Sequence, residues 1–314
     1  MKVLVYGAGV LGSYLAHVLV RAGNDVTMLA RGNRYKELAQ NGLVVRHAVQ
    51  LKTTEDKVNL IQNLKPEDIY DIIFIVMQYT QLQEVLPALA ANRSKLFVFV
   101  GNNVTPVDMK TAICGSSRDK TVLFGFQETG GRHEDGRIVS IHAGAKMYVG
   151  TLKGENFIPQ RKLLLRAFRK TKYKLIFRQD MESFLISHVA FIMPIAYACY
   201  ATNGYLKKAD KALLHQIIDA ATEGFDVLKA NGIPVSPPED ENFVRNKRGR
   251  YYCFLWICAK TFIGRLAASD HAMHAITEIA ALSDAFDKLK KQVVISTPVW
   301  NKLEKYLNGL YNKL

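Results

Sequence analysis

The stretch Val3-Leu4-Val5-Tyr6-Gly7-Ala8-Gly9-Val10-Leu11-Gly12 passes from a short apolar run through a glycine turn into a helical pattern. In that pattern Leu11, Leu15, Val18, Leu19 and Ala22 fall on one face, and Gly23 follows at its end. The order is strand, turn, helix. In that setting G-x-G-x-x-G has a mechanical meaning. Gly7 permits the tight turn, Gly9 lets a pyrophosphate approach bare backbone, and Gly12 lets the helix pack on the strand. The free N–H groups and positive end of the helix then hold the phosphates, so Gly7, Ala8, Gly9, Val10, Leu11 and Gly12 are read as a dinucleotide cradle.

The next apolar run, Asp25-Val26-Thr27-Met28-Leu29, ends in Ala30-Arg31-Gly32-Asn33-Arg34. An NAD or FAD site ordinarily carries Asp or Glu here to accept from the ribose 2′-hydroxyl. No carboxylate occurs before Glu37, whereas Arg31 and Arg34 are placed to meet a 2′-phosphate, so NADP(H) is the expected cofactor. The bland alternative is two surface charges.

Further along, Leu43, Val45 and Leu51 outline a short hairpin over residues 43–53. Asp71–Val76 and Leu96–Val100 are continuous apolar runs, as expected of parallel strands buried on both faces. Ligands of open α/β sheets lie at the carboxyl ends of such strands, which makes Gln78, Gly101, Asn102 and Asn103 pocket candidates by position. The two asparagines are also ordinary turn formers. Thr121–Phe126 reads as another strand. Ile138–His142 and Lys146–Gly150, with a tight Asp135-Gly136 turn, read as an antiparallel extension of the sheet. From about Gln179 only helical patterns remain, one carrying Leu213, Leu214, Ile217, Ile218, Ala221, Phe225 and Leu228, with later ones from about Tyr252, Ala272 and Pro298. The fold class is therefore α/β: a doubly wound nucleotide-binding domain over 1–178, followed by an all-α domain over 179–314.

The 314 residues are 49% hydrophobic and 22% charged, ordinary values for a globular chain of about two domains. A formal net charge of +14 suits an anionic ligand. The densest basic run, Arg245-Asn246-Lys247-Arg248-Gly249-Arg250, carries no recognisable nucleic-acid-binding signature, so no nucleic-acid partner is expected. Cys114, Cys199, Cys253 and Cys258 fit no zinc spacing and read as reduced, mostly buried thiols; no metal is expected. Met1-Lys2 leads straight into a strand rather than a signal peptide, and the expectation is a cytoplasmic protein. Phe184–Ala201 approaches spanning length, but Ser187, His188 and Pro194 favour a buried central helix, and no membrane partner is expected.

These pieces, in this order, resemble the ketopantoate reductase (2-dehydropantoate 2-reductase) family over nearly the whole length. The resemblance rests on Gly7–Gly12, Ala30-Arg31-Gly32, Asp71–Val76 with Gln81 and Leu86-Pro87-Ala88-Leu89, and Asn102. It also rests on Asp135-Gly136-Arg137-Ile138-Val139 with Gly144 and Gly150, Pro194, Asn203-Gly204, Asp270, Ile276-Thr277-Glu278-Ile279 and Thr297-Pro298-Val299. It implies an N-terminal Rossmann domain holding NADPH and a helical domain that closes over the cleft. It implies hydride transfer to a small 2-keto acid with a buried lysine as proton donor, a second lysine at a strand end, and an Asn–Ser–Glu set for substrate. Such two-domain reductases are often dimers, so a homodimer is the assembly the resemblance allows.

The chain departs from that pattern on the substrate side. The strand-end lysine is Gln78, and the helical lysine falls at Leu185, or at Ile186 with one gap; no lysine lies between Lys174 and Lys207. The substrate serine falls at Arg265 or Leu266, while Asn102 and Glu278 remain. Candidate proton donors are then Glu278 and His188, one helical turn beyond Leu185, and Arg265 is a candidate for a substrate carboxylate. The expected function is NADPH-dependent reduction of a small 2-keto acid with an altered substrate site. A non-catalytic NADP(H)-binding regulator or sensor is the alternative, and a dehydrogenase of a neighbouring family with a bulkier substrate is a third reading.

Overall fold

A computed structural model describes residues 1–115, 119–141 and 145–311. His142 and Gly144 lie outside the described residues. The chain forms two compact units, Met1–Met181 and Glu182–Leu314.

In the first unit the apolar runs become strands for the expected reason: they have no polar face to leave outside. β1 (Lys2–Tyr6) leads to α1 (Val10–Arg21), β2 (Asp25–Leu29) and α2 (Gly32–Asn41). The hairpin β3 (Leu43–His47) and β4 (Lys52–Asp56) follows, then the short β5 (Asn59–Ile61). β6 (Ile72–Ile75) and β7 (Leu96–Val100) are buried at every residue, as two-sided strands must be. They are separated by α3 (Leu82–Ala91), and α4 (Pro106–Cys114) precedes β8 (Thr121–Gln127). The unit ends with β9 (Gly130–Glu134), β10 (Arg137–Ile141), β11 (Lys146–Gly150), α5 (Ile158–Ala167) and β12 (Lys174–Arg178).

The main sheet has the order β12-β11-β8-β7-β6-β1-β2-β5. β5, β2, β1, β6, β7 and β8 are parallel neighbours, and β11 runs antiparallel to β8. Chain order runs outward from β1 in one direction to β2 and resumes on its other side at β6. The strand order therefore reverses between β1 and β6, the place where such sheets open a ligand crevice.

One expectation is corrected. The hairpin β9–β10 does not extend the main sheet. It forms a second sheet, β4-β3-β10-β9, with β10 parallel to β3 through Ile138↔Val45. Only β11 extends the main sheet antiparallel, and β12 beyond it is parallel to β11. The turn itself is as read: Asp135 (φ 47°) and Gly136 (φ 75°) are both left-handed, as a two-residue hairpin turn requires. A polar cluster ties this second sheet to α1. His17 Nδ1 lies 2.5 Å from the buried Asp56 carboxylate, Arg21 binds its other oxygen at 2.9 Å, and the His17 and His47 rings sit 4.9 Å apart.

The second unit contains no strand among the described residues. It comprises α6 (Met181–Ala201), a 3-10 turn Leu206–Lys208, α7 (Lys211–Ala230), α8 (Pro238–Arg245) and α9 (Arg248–Lys260). A short turn α10 (Phe262–Gly264) runs into a π-helical turn Arg265–Ser269, followed by α11 (Asp270–His274), α12 (Ile276–Lys291) and α13 (Pro298–Tyr311). α6 is long and apolar enough to cross a membrane, but 67% of its apolar window is buried inside the protein. Trp300 stacks on Phe286 with centroids 4.4 Å apart and meets Tyr197 edge-on at 5.7 Å. Much of the basic run is committed to structure: Arg245 binds Asp226 and Glu241, and Arg248 binds Asp219. The thiols are less uniformly buried than expected, since Cys253 is exposed.

Candidate active site

Each glycine of the turn answers a separate steric demand. A Cβ on Gly7 (φ +119°) would sit 2.1 Å from the Val76 carbonyl oxygen, and one on Gly12 would sit 2.0 Å from the Gly7 carbonyl oxygen. A Cβ on Gly9 would meet nothing within 4 Å. Gly7 and Gly12 are thus closed in by the protein, whereas Gly9 opens onto free space at the start of α1. No side chain caps that helix and its first turn holds no acid. An uncapped, acid-free helix start above a residue without a side chain fits a pyrophosphate. Ser13 is buried beneath the turn and donates its hydroxyl to the Ala8 carbonyl at 3.2 Å.

The two arginines take different positions. Arg34 is folded inward: Nε donates to the Ala8 carbonyl at 3.0 Å, Nη2 to Ser13 at 3.2 Å, and Nη1 to Glu37 at 3.0 Å. Its guanidinium therefore braces the glycine turn. Arg31 stands, exposed, at the N-cap position of α2 without a side-chain cap bond, and its Nη2 donates to the Tyr6 hydroxyl at 3.2 Å. Glu37, the first carboxylate after β2, lies 3.0 Å from both Arg34 and His133. The hydrogen bond from Arg34, with the nearby charges, holds its carboxyl below the usual range.

At the carboxyl ends of β6 and β7 the candidates also separate. Gln78 closes a reciprocal capping box with Gln81, its backbone N–H donating to Gln81 Oε1 at 3.3 Å. Asn103 shapes the local turn, accepting from the Thr105 N–H at 2.9 Å. Asn102 is 8% exposed, and its Oδ1 has no hydrogen-bond partner. A buried acceptor left unpaired is costly in isolation, so this oxygen is suited to a donor on a bound ligand. Sequence reasoning missed Gln127, at the end of β8. Its amide donates to the Leu11 carbonyl of the cradle at 3.2 Å and accepts from the Tyr173 hydroxyl at 2.8 Å. The strand-end rule that singled out Gln78 also covers it.

In the second unit, Glu278 is buried in the first turn of α12. Tyr200 stays a hydroxyl, because burial foremost, then Cys199 and Glu278, raises its pKa; it donates to the Ala272 carbonyl at 2.9 Å. Arg265 is exposed, with Nε 3.4 Å from Asp270, and Leu185 is buried. The near-neutral pKa expected of His188 does not hold. Burial first, and then His271, pushes it down to about 3, so the imidazole is neutral at pH 7. His271 keeps an exposed surface while protein crowds it on its other sides; that desolvation, with His274 beside it, lowers its pKa as well.

The sign of the His188 effect is definite. Between its folded pKa of about 3 and the ordinary value near 6.5, the unfolded chain binds the proton and the folded one does not. Stability from this group is complete above the unfolded value and falls with pH, by about 2 kcal/mol at pH 5. Urea unfolding at pH 7 and pH 5 checks this. His188→Gln should lose less stability than the parent over that interval; identical losses would refute it.

Residues 3–154 match the family model described as ketopantoate reductase PanE/ApbA. The 2-dehydropantoate 2-reductase of Pyrococcus abyssi is 24% identical over 256 residues, 76% of this chain and 78% of that protein. Its Pyrococcus horikoshii counterpart is 31% identical over 67 residues, 21% of this chain and 22% of that protein. Among solved structures, D-mandelate dehydrogenase with NADH and anilino(oxo)acetate superposes with a TM-score of 0.76 at 16% identity, covering 100% of this chain and 99% of that one. The 2-dehydropantoate 2-reductase of Geobacter metallireducens superposes with a TM-score of 0.74 at 15% identity, covering 99% and 100%.

Proposed function

For a chain whose residues 3–154 match the ketopantoate reductase family, we propose membership of that family and NADPH-dependent reduction, in the cytoplasm, of a small 2-keto acid related to ketopantoate. One observation carries the choice of cofactor. After β2 the exposed guanidinium of Arg31 stands at the start of α2, and the first carboxylate, Glu37, is committed to Arg34 and His133. A ribose 2′-hydroxyl finds no acceptor in that pattern, whereas a 2′-phosphate finds a cation and a helix N-terminus. The relative crystallised with NADH shares the fold but does not decide this chain's preference.

When bound, NADPH supplies the hydride. The protein's part is to hold and orient. The helix start at Gly9–Gly12 faces the pyrophosphate, Arg34 and Ser13 keep the turn rigid, and Asn102 offers its unpaired Oδ1 to a ligand donor. On the substrate side Arg265 binds a carboxylate and Glu278 handles the proton of the forming alcohol; His188, neutral at pH 7, is passed over as the acid. Steady-state NADPH oxidation against a panel of 2-keto acids, ketopantoate included, tests the reading. Turnover with at least one is expected, falling at least tenfold in Glu278→Gln; background rates with all of them sink it.

The missing lysines favour a second reading: NADP(H) binding without catalysis, as a regulator or sensor. It is supported instead if NADPH raises the melting temperature, no keto acid is turned over, and Ile186→Lys restores nothing.

A further inference from the structure

Between its charged ends α9 is apolar or aromatic all round over residues 251–259, unlike a surface helix that hides one stripe. Its inner side buries Tyr251, Leu255 and Ala259. Its outer arc exposes Cys253, Phe254, Trp256 and Ile257, and Phe262 continues the surface beyond its end. Trp256 is 48% exposed and Phe262 54%. Tyr205, also exposed, precedes the turn Leu206–Lys208, which Lys260 fastens to α9 by donating to the Lys207 carbonyl and, at 3.0 Å, to the Ala209 carbonyl.

The segment itself carries one sign of charge, although Arg245, Arg248 and Arg265 pair with carboxylates of neighbouring elements. Residues 242–269 contain no Asp or Glu, and include Arg245, Lys247, Arg248, Arg250, Lys260 and Arg265. Lys247 and Arg250 are exposed and have no carboxylate partner among the described residues. A second copy would set one acid-free cationic segment against another, in a chain of net charge +14. Aromatic side chains standing out of a basic surface instead match an anionic bilayer, where rings settle at the headgroup boundary and cations meet phosphates.

We propose that the outer face of α9 docks the protein on an anionic lipid surface, with Phe254, Trp256, Ile257 and Phe262 in the interfacial layer and Lys247 and Arg250 on the headgroups. Docking of this kind is peripheral and needs no spanning segment.

The chain has two tryptophans, and Trp300 is fully buried, so a blue shift on binding reports Trp256. The full-length protein is mixed with vesicles of phosphatidylcholine alone or with an equal part of phosphatidylglycerol, at low and high salt. Expected are co-sedimentation and a blue shift with the anionic vesicles only, both lost at high salt. Trp256→Ala should weaken partitioning roughly tenfold, and Lys247→Glu with Arg250→Glu by at least as much, with NADPH affinity unchanged in each. Four results overturn the proposal. The first is sedimentation with neither vesicle, and the second is variants that sediment like the parent. A concentration-dependent blue shift with a dimer mass in the absence of lipid assigns the face to a second copy. Polyglutamate binding as tight as anionic vesicles assigns it to an acidic protein.

Discussion

Gly9→Ala is expected to fold like the parent and lose NADPH. The backbone at Gly9 is extended (φ −72°, ψ −168°), which alanine adopts freely, and its Cβ would meet no protein atom within 4 Å. The added methyl instead occupies the approach of the pyrophosphate, and NADPH affinity should fall at least tenfold, about 1.4 kcal/mol or more. Gly12→Ala inverts the pattern. Its Cβ would lie 2.0 Å from a backbone oxygen, so the strand–helix contact must open. Such overpacking costs about 1–3 kcal/mol and lowers the melting temperature by several degrees. Scanning fluorimetry and titration of NADPH fluorescence separate the two. If Gly9→Ala binds NADPH as tightly as the parent, the cradle is not where it is placed.

The second large effect concerns the two arginines. Arg31→Ala should weaken NADPH roughly 10–100-fold, the loss of a charge-assisted contact, and leave NADH unchanged. Arg34→Ala should instead lower the melting temperature and weaken NADPH and NADH alike, because its guanidinium holds the Ala8 carbonyl and Ser13. Loss of both nucleotides to the same degree in Arg31→Ala would remove the argument for NADPH.

The contrast between these arginines shows how far the sequence could be read. Their spacing after β2 announces two cations near a nucleotide. It cannot announce that one of them turns back onto a carbonyl eight residues into the chain. Asn102 and Asn103 pose the same problem: identical side chains, adjacent, at one strand end. One closes a turn and the other keeps a bare oxygen, a difference that residue type and spacing do not carry. The β1–α1–β2 unit was legible because period and glycine placement are local. The second sheet was not, because alternation marks a strand without naming its partner, and Val45 pairs with Ile138 across almost a hundred positions. β5 and β12 escaped notice as short edge strands with polar residues in them. His188 misled because its ordinary pKa assumed water that its packing removes.

The supports of the glycine turn have a wider consequence. Val76, Leu29, Ser13, Arg34 and Gln127 all belong to residues 1–181. The turn is therefore held by groups of the first unit. Substitutions confined to Glu182–Leu314 leave these supports in place, so turnover can lapse while nucleotide retention persists. A screen that scores binding alone would count a silent descendant and a working reductase as the same protein.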